Sequence, residues 1–374
     1  MRRERRRASP AIPLEDGASQ GRRLVTWHSN IQTWASPGNL LRTLARCVPP
    51  GLLRPFGRPV VLAFHGLVTR IADERIEVAQ HERDVFHAIV KTLKAQFDVL
   101  PLGAIADVGK NPGRYPRAVF LTADDGYSSL DAAADLLEEQ RLPWSLFVPT
   151  HHIETGQPNP LFPARLFLLF GPTGTYEIPH IPTPIVLGTQ RGALCIQVIS
   201  ELKRLDRVRA EEAVAAMAAV FSASEFDALR ARFASERYLD WDGVAQLARR
   251  GVAIGAHAHW HWPMNAAEPT SALAMQAETS RALVISHIGQ CRYFAYPFGR
   301  EADVSPQARN AVRDAGFEAA FTSIPASLEA KQDPFLLPRY FLARREPALA
   351  SFVPLIRAGG FRARNWQRAT LSAA

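Results

Sequence analysis

Short apolar runs that break off into polar or turn-forming residues recur along this chain, separated by stretches of helical periodicity. The runs include "PVVLAFHGL" (59–67), "RAVFLTADDGY" (117–127), "PWSLFVPT" (143–150), "VAIGAH" (252–257), "YFAYPFG" (293–299), "FEAAFTS" (317–323) and "FLLPRYFL" (335–342). Between them lie amphipathic segments such as "RDVFHAIVKTLKAQF" (83–97), which places Phe86, Ile89, Val90, Leu93 and Phe97 on one face. Strands that are apolar throughout need cover on both sides. Their alternation with helices predicts an α/β fold with a parallel sheet or barrel inside and helices outside.

The rhythm is interrupted between 153 and 238. That stretch is proline-rich at first ("NPLFP", "IPHIPTP") and then strongly helical, with "RAEEAVAAMAAVF" (209–221) and "SASEFDALRARF" (222–233), the latter opening on a serine cap with acids in its first turn. It reads as an insertion, a candidate lid, within a core spanning 58–345. At 374 residues, one barrel with such additions is as consistent with the length as two domains. A hydrophobic content of 47% is ample for a sizeable core.

The net charge of +8 is concentrated at the ends. Residues 1–57 carry ten arginines against three acids, starting with "MRRERRR". This segment reads as a disordered basic tail followed by a short amphipathic helix within 38–56, and residues 346–374 as a C-terminal extension. No apolar h-region follows the arginines, so no secretory signal is expected. The expectation is a cytoplasmic protein, with the basic N-terminus offering peripheral contact at the inner membrane face. Nucleic-acid binding is not expected, because no basic–aromatic interleaving or docking motif accompanies the charge. Cys47, Cys195 and Cys291 are too few and too scattered for a disulfide framework or a thiolate metal site.

Four unusual groups stand at predicted strand ends, where parallel α/β folds keep their chemistry. They are His65, the pair Asp124-Asp125, the cluster His257, His259 and His261 in "HAHWH", and Tyr296-Pro297-Phe298-Gly299. Adjacent carboxylates raise one another's pKa unless a cation or hydrogen bonds separate their roles. Asp-Asp-Gly is therefore either a capped turn or a metal ligand beside a free base. His257 and His261 share a side of a helical turn, or meet in a tight loop. With one carboxylate they make a common catalytic zinc set with an open position.

In this order "TADDG" (122–126), "HAHWH" (257–261) and "FAYPFG" (294–299) resemble the motifs of the polysaccharide deacetylase family, the NodB-homology or family-four carbohydrate esterases. The resemblance extends over roughly 58–150 and 238–342. It implies a distorted (β/α) barrel of the NodB-homology type, here with a helical insertion and a basic N-terminal tail. It also implies a metal-dependent hydrolase that removes acetyl groups from a polysaccharide or glycoconjugate by N-deacetylation. Asp124 then corresponds to the general base and Asp125, His257 and His261 to the ligands of a divalent metal, most simply Zn²⁺. In that correspondence the metal would supply Lewis-acid polarisation of the acetyl carbonyl and acidify water, and the Phe298 backbone N–H would hold the oxyanion.

Three departures from the family pattern stand out. Ala258 replaces a Ser or Thr, and Ala295 stands where many members have the arginine that orients the base. The late histidine that serves as general acid is replaced by Arg339, leaving His65 as the candidate acid. Tyr296, Pro297 and Trp260 are the expected substrate contacts, and the expected partner is an N-acetylated glycan or lipid-linked sugar. The alternative is a catalytically impaired relative that only binds glycans, which the missing arginine and histidine would favour.

Overall fold

The structure, a computed structural model, describes residues 58–345. The expected basic tail, the helix within 38–56, Cys47 and the extension at 346–374 lie outside the described residues.

Eight strands form one parallel sheet: β1 (Val60–Phe64), β2 (Asp98–Val99), β3 (Ala118–Ala123), β4 (Ser145–Val148), β5 (Ala253–Ala256), β6 (Tyr293–Ala295), β7 (Ala319–Phe321) and β8 (Tyr340–Phe341). Their order is β7-β6-β5-β4-β3-β1-β8, with β2 paired beside the start of β3. Every residue of β1 and β3 is buried, as the unbroken apolar runs predict. The sheet curls towards a barrel. β8 pairs with β1 through Leu62↔Tyr340, while Leu337, just before β8, bridges to Phe321 of β7. One C-terminal segment thus touches both edges of the sheet.

The helices follow the sequence pattern. α1 (Arg83–Gln96) buries Phe86, Ile89, Val90 and Leu93 against the sheet. α2 (Ile105–Lys110) is a short helix that the apolar pattern does not announce. α3 (Asp131–Glu139) returns the chain to β4. The β5 strand admits no side chain at Gly255, where a Cβ would come within 2.6 Å of the Phe147 ring and 2.7 Å of the Tyr293 carbonyl.

Between β4 and β5 the chain forms α4 (Thr150–Thr155), α5 (Phe162–Phe170), α6 (Arg191–Leu202), α7 (Arg207–Ala218), α8 (Ala223–Arg232) and α9 (Trp241–Arg249), with a small antiparallel hairpin at Gly174–Tyr176 and Ile185–Leu187. Ser222 and Glu225 close a capping box at the start of α8, as the serine and first-turn acids predict. The apolar run "LFLLF" is α5, buried in a second hydrophobic cluster with Val198, Met217 and Phe233. Trp262, only 1% exposed, joins this cluster from the histidine loop and donates its indole N–H to the Leu205 carbonyl at 3.3 Å. Trp262→Ala is therefore expected to cost about 3–5 kcal/mol. A urea midpoint unchanged from that of the parent would contradict this anchoring role.

Beyond β5, α10 (Thr270–Ile288) and α11 (Pro306–Asp314) pack side by side on the outside, each preceding its strand. Ser305 caps α11 by accepting the Ala308 N–H, with Pro306 in the first turn. Among the described residues no helix is long and apolar enough to cross a membrane. Cys195 and Cys291 are buried and unpaired, in line with the cysteine count.

Candidate active site

The carboxyl ends of β1, β3, β5, β6 and β8 converge. Asp124 and Asp125 follow β3 directly, and the Asp124 N–H bonds to the Phe64 carbonyl at 3.0 Å, locking the acidic turn to β1. The histidine cluster follows β5 as an irregular loop, so the tight-loop alternative holds and the helical turn does not. Asp125, Ala258, His261 and Phe298 all have left-handed backbones, with φ of 72°, 59°, 50° and 60°. Such conformations are costly for residues with a Cβ and cluster where the surrounding structure enforces a geometry. Here they aim three loops at one point.

At that point Asp125, His257 and His261 bring ligand atoms within 4.8 Å of one another, all three residues buried. Asp125 Oδ1 lies 2.8 Å from His261 Nε2 and 3.3 Å from His257 Nε2. Despite these approaches, Oδ1 receives no properly directed hydrogen bond. His257 Nδ1 lies 2.7 Å from the Ala295 carbonyl, an acceptor only, so Nδ1 donates and Nε2 is the atom that faces Asp125. The Asn159 amide holds His261 from behind, 3.2 Å from Nδ1. Burial alone would raise the Asp125 carboxyl. The charge of His261 and the contacts from both imidazoles outweigh it and hold Asp125 well below the usual carboxylate range. A buried, electron-rich oxygen facing two imidazole nitrogens fits a divalent cation.

Asp124 is held differently. Arg339, in the segment leading into β8, is 1% exposed and donates to both carboxylate oxygens, Nη1 to Oδ1 and Nη2 to Oδ2, each at 2.7 Å. Its Nε donates to the Thr322 carbonyl at 3.0 Å and Nη1 also reaches Thr122 Oγ1 at 3.2 Å, so the guanidinium has little freedom. Burial opposes ionisation of Asp124, but the charge and hydrogen bonds of Arg339, together with His257, keep its pKa below the ordinary value. Two neighbouring carboxylates thus face different partners, which separates their roles.

This pairing revises the sequence reading. An arginine facing Asp124, the expected base, is supplied from the segment leading into the last strand, whereas Ala295 on β6 offers none. Arg339, noted only as the occupant of a histidine's place, pairs with Asp124. The signal in sequence was an arginine set inside the apolar run "FLLPRYFL".

The other candidates separate into those at the site and those away from it. His65, at the end of β1, has Nε2 4.0 Å from Asp125 Oδ2. Its ring is stacked between Phe341 (centroids 5.2 Å, planes 14° apart) and His81 (6.3 Å, 22°). Burial lowers its pKa, opposed by the charges of Asp125 and Asp124. Phe298 is half-buried, with its ring 5.1 Å from that of His261 and the Lys203 ammonium 4.0 Å over its face. Trp260 is half-buried beneath the Arg207 guanidinium at 4.0 Å.

Tyr296 is corrected. It is 1% exposed and packed against Phe294, so its side chain lies in the core and offers no surface to a substrate. Pro297 is likewise buried and acts through its carbonyl, which accepts the Gly299 N–H at 2.6 Å in the turn that sets Phe298. His259 is a bystander. Its Nδ1 meets Thr150 Oγ1 at 2.8 Å, away from the ligand cluster, and burial pushes its pKa down to about 4. Sequence reasoning did not find Asn159 or Thr150, since neither falls in a recognisable motif.

A cavity of about 410 Å³ lined by Ile105, Lys110, Tyr293, Leu328 and Leu337 opens beside the first residues of β6 and β7. It lies at the amino end of the strands and includes none of the acids or histidines above, so it is not the catalytic cleft.

A curled parallel sheet with a buried carboxylate–dihistidine set and an arginine-held second aspartate at its carboxyl end defines a hydrolytic class of (β/α) barrel. Residues 113–320, more than half of the chain, match the family model described as polysaccharide deacetylase, and the chain belongs to that family. It is accordingly a carbohydrate deacetylase. The matched span covers both aspartates, His257, His261 and the "FAYPFG" turn, and stops short of His65 and Arg339.

Among solved structures, the chain is similar to the Streptococcus pyogenes deacetylase PplD in complex with acetate, with 13% identity, a TM-score of 0.50 and coverage of 77% of this chain and 93% of that one. It is also similar to the BA0330 protein of Bacillus anthracis, with 12% identity, a TM-score of 0.50 and coverage of 80% and 69% respectively. At these identities the likeness establishes the fold. No curated protein matches the sequence significantly.

Proposed function

We propose that the protein removes the acetyl group from the nitrogen of an N-acetylated glycan or glycoconjugate. In this reading Asp125, His257 and His261 hold a divalent cation and Asp124 is the general base. The observation that carries this is the division of labour between the two aspartates, one facing two imidazole nitrogens and the other gripped by Arg339. The donor set of two imidazoles and one carboxylate suits zinc. When bound, such a cation supplies Lewis-acid polarisation of the acetyl carbonyl and acidifies water.

The chain's own groups do the rest. Asp124, kept ionised by Arg339, takes a proton from the water that attacks the acetyl carbon. The backbone N–H of Phe298, presented by its left-handed turn, stabilises the oxyanion. The C–N bond then breaks and the amine nitrogen takes a proton from the imidazolium form of His65, which stands beside Asp125 and is re-protonated as Asp124 gives up the proton it took from water. Acetate and a free amine leave.

The test is acetate release from a panel of N-acetylated and O-acetylated sugars and oligosaccharides. The reading expects release from N-acetylated members together with an equal yield of free amine. Acetate from O-acetylated members alone would contradict N-deacetylation, and no acetate from any member would support the glycan-binding alternative.

A further inference from the structure

The segment containing Arg339 also places an aromatic ring at the mouth of the site. Side chains two apart on a strand share a face. Arg339 reaches Asp124, so Phe341 lies on the site's side of β8, and its stacking on His65 confirms the placement. Yet its exposure differs sharply from that of its neighbours. Tyr340 and Leu342 are 5% and 4% exposed, whereas Phe341 is 38% exposed. Val186, Ile196 and Val208 are also exposed, but they sit on the hairpin and helices between β4 and β5. Phe341 adjoins the catalytic groups, with its ring 5.2 Å from that of His65, which in turn stands 4.0 Å from Asp125.

Phe298 and Trp260, by contrast, carry cations over their faces, Lys203 over Phe298 and Arg207 over Trp260, each at 4.0 Å. His65 stacks on the Phe341 ring at 5.2 Å and the Arg339 guanidinium carbon lies 5.5 Å from its centre, yet the residue keeps 38% of its surface exposed. An open aromatic surface beside polar catalytic groups matches the chemistry of a pyranose. The axial C–H bonds of such a sugar form an apolar patch, while its substituents are polar.

We propose that Phe341 is the platform on which the sugar ring bearing the acetamido group stacks, so that its C–N bond lies between Asp124 and His65. This rests on the deacetylase reading above and adds a residue that selects a cyclic sugar over other acetylated amines or esters. It also assigns β8 and the residue before it two tasks, since Arg339 holds the base and Phe341 holds the substrate.

The experiment compares two probes on the full-length protein, N-acetylglucosamine oligomers and 4-nitrophenyl acetate, which has no sugar ring. In Phe341→Ala the ratio of kcat/KM for the oligomer to that for the ester is expected to fall about tenfold or more, mainly through KM, with Phe341→Trp restoring most of it. An unchanged ratio overturns the platform. So does an equal fall on both probes, and so does a fall on the oligomer carried by kcat with KM unchanged, which would mean that Phe341 merely props His65, the acid that the amine needs and the nitrophenolate does not. A parent protein that cleaves the ester and releases no acetate from any N-acetylated sugar defeats the deacetylase reading itself, a result seen before any variant is made.

Discussion

Asp124→Asn is expected to lower acetate release by about 100- to 10,000-fold while leaving bound metal near that of the parent. Asparagine keeps the size of the side chain and one acceptor for Arg339, but it is not basic. The ligand set, Asp125 with His257 and His261, is untouched. Metal content by atomic emission and acetate release should therefore part company in this variant. In Asp125→Asn they should fall together. Retained turnover in Asp124→Asn would remove Asp124 as the base.

Arg339→Met should show in stability as well as in rate. Asp124 and Arg339 are both buried, with side chains 3% and 1% exposed. Removing the guanidinium leaves a buried carboxylate without its two charge-assisted bonds. Breaking such a pair from one side costs about 3–5 kcal/mol. The pH dependence carries a sign. Arg339 depresses the Asp124 pKa, so its contribution is present above the unfolded carboxylate pKa and is lost as pH falls through the lower folded value. The difference in urea midpoint between parent and variant should thus shrink in acid. Without Arg339 the Asp124 pKa rises, and the acid limb of kcat/KM should move to higher pH. Arg339→Lys should recover part of both effects, since a point charge replaces a two-pronged donor. An acid limb unmoved in Arg339→Met would show that Arg339 does not act through Asp124.

Much of the site was legible because strand ends are legible. "VFLT" buries completely and "VAIG" at all but Ala253, and the residues that follow them have to lie at the rim of the sheet. Asp124, Asp125, His257 and His261 could be placed from that alone, while the roles proposed for them rest on the order of the motifs. Arg339 could not be assigned in this way. It lies 215 residues from Asp124 in sequence, and its reach depends on a closing segment that touches both β7 and β1. A motif is a local pattern, and it indicated an arginine on β6, where Ala295 instead offers its carbonyl to His257.

Tyr296 failed for a different reason. In "FAYPFG" the side chains of Phe294 and Tyr296 both turn into the core, and only the left-handed turn after Pro297 brings Phe298 round to the site. Backbone handedness at a non-glycine residue has no signature in composition or periodicity. The helices between β4 and β5 were visible as helices. That they form a second core anchored by Trp262 followed only from their packing.

The most direct test of the central claim is acetate release by one preparation of full-length protein carried through metal removal and return. With the metal stripped by a chelator and the chelator dialysed away, the account predicts loss of nearly all release from an N-acetylated oligosaccharide. One equivalent of Zn²⁺ should restore it in the parent but not in His261→Ala. Release that persists undiminished at a metal content near zero would contradict it.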